Sequence, residues 1–96
     1  MSRRHSNVRA NVQRMIRDHL GGLAYAGDPA SGCLDIVACV DGVYFEIDVK
    51  LPPDTLSARQ VARVEAVRAA GGHAFTVVNS ADAVDQVAAC LYGGEV

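Results

Sequence analysis

From Leu34 to Val49 the chain alternates between apolar and polar positions. Leu34, Ile36, Ala38 and Val40 are apolar at every second residue, and after Asp41-Gly42 the pattern resumes with Val43, Phe45, Ile47 and Val49. A period of two is that of a strand with one buried face. Asp-Gly is the dipeptide most favoured in a two-residue type I′ hairpin turn. The stretch therefore predicts a β-hairpin whose register follows from the turn: Val40 opposite Val43, Ala38 opposite Phe45, Ile36 opposite Ile47 and Asp35 opposite Asp48. The apolar residues then share one face. The other face carries Asp35, Val37, Cys39, Tyr44, Glu46, Asp48 and Lys50.

On either side of the hairpin the period changes to that of a helix. Val8, Val12, Met15, Ile16 and Leu20 recur at helical spacing up to Gly21-Gly22, which predicts an amphipathic helix after a loose segment from Met1 to about His5. Leu23 to Ala26 reads as a first strand, and residues 27–32 as a loop by composition. Pro52-Pro53 stops the second hairpin strand, because proline cannot donate to a ladder. Ser57-Ala58-Arg59-Gln60 is a capping box, with Leu56 and Val61 spaced as a hydrophobic staple. That helix runs through Val64 and Val67 to Ala70, where Gly71-Gly72 ends it. His73 to Val78 reads as a fourth strand. Asn79 or Ser80 caps a last helix with Val84, Val87, Ala88 and Leu91 on one face, and Gly93 to Val96 is expected to fray. With a right-handed crossover joining the third strand to the fourth, the order αβββαβα predicts an α/β fold. Its four-stranded mixed sheet is flanked by helices in a single domain over residues 1–96.

Composition narrows the class. A chain of 96 residues, 50% of them hydrophobic, buries one small core and leaves no room for a second domain. The net charge of −2 excludes a protein that coats nucleic acid by bulk charge. The charge is nevertheless uneven, since Arg3, Arg4, Arg9, Arg14 and Arg17 all precede the first acidic residue, Asp18. Arg9, Gln13 and Arg17 fall one turn apart away from the apolar stripe, either as a solvated face or as a contact for phosphate. Cys33, Cys39 and Cys90 have no metal-ligand spacing and leave an odd one over, as expected of reduced thiols packing as small hydrophobes in an intracellular protein. No signal peptide and no apolar run of membrane-spanning length is present, so the expected location is cytoplasmic.

The candidate chemistry lies at the open end of the hairpin. Directly opposed residues have Cβ atoms about 4.5 to 5.5 Å apart, and like charges there destabilise a sheet. A divalent cation is the economical compensation for Asp35 beside Asp48. Lys50, the only lysine in the chain, shares their face; it reads either as a strand-end partner of Asp48 or Asp35, or as a working cation. Glu46 reads as an outer carboxylate of the same site or, more simply, as a solvent-facing residue at the sheet margin. Gln60 is explained by the capping box but is also a candidate for the site. His5, His19 and His73 show no convergent spacing and read as structural or exposed. Tyr25 and Tyr44 read as half-buried packing, with substrate contact as the alternative.

Four motifs in order carry a resemblance: Gly32-Cys33-Leu34-Asp35, Phe45-Glu46-Ile47-Asp48-Val49-Lys50, Leu56-Ser57-Ala58-Arg59-Gln60 and Ala70-Gly71-Gly72-His73-Ala74-Phe75. Together they resemble the VRR-NUC branch of the PD-(D/E)XK nuclease superfamily, over roughly Leu23 to Val84. The resemblance implies a restriction-endonuclease-like core and a Mg²⁺- or Mn²⁺-dependent endodeoxyribonuclease. Asp35, Asp48 and the main-chain carbonyl of Val49 would be the metal ligands, Lys50 would stand near the attacking water, and Gln60 would lie near the active site. It further implies a structure-selective enzyme on branched or junction DNA, similar to Holliday-junction-resolving nucleases. That enzyme would be a homodimer, with Arg9, Arg14 and Arg17 as candidate DNA contacts. The departures are specific. Leu34 stands where the family has proline, and Asp48 where it usually has glutamate. The segment from Ser6 to Arg17 has no acid, although the family usually supplies a glutamate from its first helix. That last departure supports the rival reading, a catalytically inactive nucleic-acid-binding or assembly module that retains the fold. An accidental D-x-K in a plain α/β protein is the third reading, and a long Asp35 to Asp48 separation with the carboxylates on different faces would support it.

Overall fold

The computed structural model describes residues 3–93. Its elements are α1 (Arg3–Leu20), β1 (Leu23–Ala26), β2 (Ile36–Val40), β3 (Val43–Val49), α2 (Ala58–Ala69), β4 (His73–Val77) and α3 (Ser80–Tyr92), with a short 3-10 turn at Pro29–Ser31 between β1 and β2. The sheet order is β1-β2-β3-β4. β1, β2 and β3 pair antiparallel, and β4 lies parallel to β3, which is the mixed four-stranded α/β arrangement expected.

The hairpin register is set by its turn. Asp41 and Gly42 have φ of 52° and 79°, the two left-handed residues that a type I′ turn requires. The pairs Val40↔Val43, Ala38↔Phe45 and Ile36↔Ile47 follow from it. Their apolar face meets α1 and α3, where Val12, Ile16, Ala83 and Val87 close over Ile36, Phe45, Ile47 and Val49 in the main core. The stripe on α3 is rotated from the expected one. Ala83 is buried and Val84 only half-buried, and the packed residues run Ala83, Val87, Cys90 and Leu91.

The opposite face is covered by α2 alone. Val64 and Val67 pack on Ala74 of β4 and on Leu34, leaving the β1 side open, with Leu23 and Tyr25 58% and 60% exposed. Leu34 thus departs from the face assigned by alternation. The chain bends at Asp35 before β2 begins, and the two-residue period does not extend across that bend. The capping box of α2 forms as expected, but only the Leu56 half of the staple packs on this cluster, while Val61 stays exposed. α1 starts earlier than expected, so residues Arg3 to His5 are helical. The fraying expected after Gly93 falls outside the described residues. Among the described residues no helix is long and apolar enough to cross a membrane.

Candidate active site

The site lies where the hairpin opens, at the carboxyl end of β3. Gly27 fixes the first strand there: its amide donates to the Asp35 carbonyl at 2.8 Å. A Cβ on Gly27 would stand 1.9 Å from the Leu34 carbonyl oxygen, so only glycine permits this approach. The Asp35 amide in turn donates to Asp48 Oδ1 at 3.3 Å, and the Val49 amide donates to Asp35 Oδ2 at 2.9 Å. The two acids are thus brought together, though through side-chain bonds to main-chain amides beyond the last ladder pair, Ile36↔Ile47, and the long separation that would support an accidental motif is not found. The Lys50 amide donates to Val77 O at 3.0 Å, which continues the parallel ladder and aims the side chain. Its Nζ reaches within 3.2 Å of Asp48 Oδ2.

Asp48 is almost wholly buried, with 1% of its surface exposed. Burial, and then the charge of Asp35, push its carboxyl above the usual range; Lys50 and the Asp35 amide offset this only in part. Although Lys50 stands at ion-pair distance, Asp48 Oδ2 has no hydrogen-bond partner. A buried, charged oxygen without a donor is costly unless something else pairs with it.

Sequence reasoning read His5 as structural or exposed; the structure sets it against the acid pair. Its Nε2 lies 2.9 Å from the carbonyl oxygen of Val49 and 3.1 Å from Asp35 Oδ2. The first helix, acid-free through this region, thus delivers an imidazole to the carboxylate pair. A signal for it exists in the sequence. His5, Val8, Val12 and Ile16 continue one core-facing stripe at steps of three and four, which becomes visible once the helix is extended by a turn toward its start.

Glu46 does not face solvent at a margin. It is fully buried under α2, where Arg63 grips it through Nε at 2.9 Å and Nη2 at 2.6 Å. The Tyr44 hydroxyl and the Leu34 amide also donate to it. Burial alone would raise its carboxyl, but these donors outweigh burial and hold it below the usual range. Tyr44, through burial and its bond to Glu46, is pushed up to about 12. Glu46 is therefore an anchor between the sheet and α2, with its oxygens already satisfied.

The remaining candidates are more dispersed. Gln60 Oε1 accepts from the Ser57 amide at 2.9 Å, and the Gln60 amide donates to Ser57 Oγ at 3.1 Å, so its described bonds belong to the cap. Arg17 Nη1 donates to Ala24 O at 3.3 Å, which ties α1 to β1, and Arg14 donates to Asn11 Oδ1. Arg9 stands one turn beyond His5 on the same side of α1. Among the described residues no three His, Cys, Asp or Glu side chains form a ready-made metal cluster; the donors here are two carboxylates, a main-chain carbonyl and one imidazole.

A four-stranded mixed sheet in the order αβββαβα, with paired acids and a lysine where its hairpin opens, defines a restriction-endonuclease-like core. More particularly, the chain has the fold of a VRR-NUC domain. A solved structure described as a VRR_NUC domain matches 90% of this chain and 96% of its own length, with a TM-score of 0.75 and 19% identity. Hjc, a Holliday junction resolvase of the archaeal hyperthermophile Archaeoglobus fulgidus, matches 67% of this chain at 27% identity. That match spans 61% of Hjc, with a TM-score of 0.47. No protein-family model matches the sequence, and no curated protein matches it.

Proposed function

We propose that this chain is a divalent-metal-dependent endonuclease that hydrolyses phosphodiester bonds in branched DNA. The observation that carries this reading is the Asp35–Asp48 pair, whose buried Asp48 Oδ2 has no hydrogen-bond partner and whose neighbour is Lys50. These residues fit Mg²⁺ or Mn²⁺. Hard oxygen donors suit both ions, and the raised carboxyl of Asp48 marks a place where positive charge relieves repulsion. Asp35, Asp48 and the Val49 carbonyl would hold the ion. When bound, it supplies a more acidic water and positive charge opposite the phosphate.

The chain's own groups do the rest. Lys50 keeps 22% of its side chain exposed, so its ammonium can turn from Asp48 toward an attacking water or a non-bridging phosphate oxygen as a compact charged donor. Water attacks phosphorus and releases a proton to solvent, the P–O bond to the leaving sugar oxygen breaks, and that oxygen takes up a proton from solvent. Arg9 is placed to meet the DNA backbone one turn from the site, with Arg14 and Arg17 further along α1. The resemblance of the ordered motifs supports branched DNA as substrate. One site per chain supports a homodimer, because paired incision of two strands needs two sites.

The test is cleavage of a panel of branched, flap, supercoiled and linear DNAs with Mg²⁺ or Mn²⁺. The expected result is metal-dependent cutting that falls by about 10²-fold or more in Lys50→Ala and Asp48→Asn. Absence of cutting on every substrate, or variants that cut as well as the original, would sink the proposal. One observation favours the inactive module as a second reading: His5 already bridges Asp35 and Val49 in a chain whose first helix brings no acid there. Thermal melting separates the two readings, since an ion that binds the folded state raises its stability and a dead site leaves the melt unchanged.

A further inference from the structure

We infer that the open sheet face between Tyr25 and Tyr44 holds an unpaired base of a DNA strand, so that the protein favours DNA with unpaired nucleotides over continuous duplex. This rests on the reading of the chain as a DNA-binding protein and deepens it, but needs neither the cation nor the cleavage. Leu23 and Tyr25 of β1, Val37 and Cys39 of β2 and Tyr44 of β3 line a groove of about 170 Å³. Register explains it. Tyr25 pairs with Val37 and Tyr44 with Cys39, so the two rings stand on either side of β2 with smaller side chains between them. Tyr25 and Tyr44 are 60% and 43% exposed, and the Tyr44 ring is steadied by the bond from its hydroxyl to Glu46. Aromatic walls over an apolar floor suit the flat face of a nucleobase, whichever base it is.

Charge complements the groove for a nucleic acid. Arg17 is exposed and reaches from α1 to the β1 edge, where its Nη1 donates to Ala24 O at 3.3 Å, between Leu23 and Tyr25. A backbone phosphate meeting this guanidinium leaves its base free to turn round the edge into the groove. No acid lines the groove, and Glu46, opposite Val37, is neutralised by Arg63. The groove also lies within reach of the acid pair. Tyr25 is two strands and two residues from Asp48, about 12 Å by strand spacing and rise, which three to four stacked nucleotides span at about 3.4 Å each.

Size disfavours the other occupant of an apolar face, a second copy of the chain. An aromatic side chain offers about 150 to 250 Å², so the exposed parts of Tyr25, Tyr44 and Leu23 together present about 300 Å², well short of the roughly 800 Å² per partner of a stable interface. Strand addition at the sheet edges is blocked as well. Arg17 occupies the outward carbonyl of Ala24, Arg68 that of Ala74 and Gln86 that of Thr76. A homodimer would then meet through another surface.

The experiment is fluorescence anisotropy of the full chain in EDTA with three DNAs: a continuous duplex, the same duplex with a short unpaired arm, and that arm made abasic. The unpaired arm is expected to raise affinity, and removal of its bases to cancel the gain. Tyr25→Ala should lose about tenfold in affinity for the armed DNA and little for the duplex, while Tyr25→Phe, which keeps the ring, should bind both as the original does. Equal binding of the three DNAs, or Tyr25→Ala binding the armed DNA as tightly as the original, overturns the inference. So does sedimentation in which the original is a dimer and Tyr25→Ala a monomer, which would give the groove to a second copy. Metal-dependent cutting together with an unaffected Tyr25→Ala sinks the groove alone, and Tyr25-dependent binding without cutting of any DNA sinks the nuclease alone. If the original binds none of the three, both fall.

Discussion

Glu46 and Asp48 lie two residues apart on the same face of β3, both buried, and their surroundings push them in opposite directions. Glu46 receives four hydrogen bonds, two of them from Arg63, and its carboxyl is held low. Asp48 faces another carboxylate, has only the Lys50 ammonium beside its Oδ2, and is raised. Removing Arg63 should therefore be severe, because it strands a buried charge. Arg63→Ala is expected to destabilise the fold by about 3 kcal/mol, the lower end for a broken buried pair, since the Arg63 side chain keeps 31% exposure. Urea denaturation measures it, and a loss below about 1 kcal/mol would show the pair to be a surface bridge in energetic terms. Asp48→Asn should act the other way. It removes repulsion while its Oδ1 still accepts from the Asp35 amide, so melting in EDTA is expected to rise by a few degrees, and the rise caused by Mn²⁺ in the original protein is expected to disappear. A lower melting temperature in EDTA would mean that the Lys50 pairing outweighs the repulsion. The nearness of Asp48 to Asp35 was legible from the turn, but not its form, because the ladder ends at Ile36↔Ile47 and each acid reaches a main-chain amide of the other strand instead. The fate of Glu46 was not legible, because Arg63 reaches it only once α2 has crossed over the sheet.

At the scale of elements, what was legible depended on local chemistry. The Asp41-Gly42 turn and the Ser57–Gln60 capping box are each written in a few adjacent residues, and both form as read. The amino-terminal turn of α1 has no such marker, so His5 was left outside the helix that places it. The alternation through Leu34 failed for the converse reason: a bend at Asp35 interrupts a pattern that continues in sequence but not in space. The cap also bears on Gln60. Ser57→Ala and Gln60→Ala each open the same box, so each is expected to cost about 1 kcal/mol, and their Mn²⁺ affinities should match. A drop in affinity confined to Gln60→Ala would draw that residue into the metal site. Gly27 makes a stronger case for an element that positions chemistry. The Cβ of Gly27→Ala would meet the Leu34 carbonyl at 1.9 Å, forcing the loop off Asp35. Overpacking of this kind costs about 1 to 3 kcal/mol, and Mn²⁺ affinity should fall with it; unchanged calorimetric binding would show that Asp35 holds its place without Gly27.

For the molecule as a whole, the proposed function would require a chain of net charge −2 to approach a polyanion. Bulk attraction is not available to it, so such binding would have to come from where the positive charge is concentrated. That place is α1, which carries Arg3, Arg4, Arg9, Arg14 and Arg17 against a single acid, Asp18, and whose first turn ends at the carboxylate pair through His5. A DNA backbone lying along this helix would reach Lys50 at its end, which joins the path of binding to the place of chemistry. Arg9 is the arginine of this path one turn from His5 on the same side of the helix, and Arg17 is partly committed to Ala24. Arg9→Ala is therefore expected to weaken binding to branched and linear duplexes by a similar factor. It should also flatten the dependence of log affinity on log salt by about 0.9, the loss of one phosphate contact. Fluorescence anisotropy over a series of salt concentrations measures both. Mn²⁺ affinity should be untouched by the substitution; a change in it would move Arg9 from the DNA path into the metal site, and an unchanged salt slope would mean that the backbone runs along some other face.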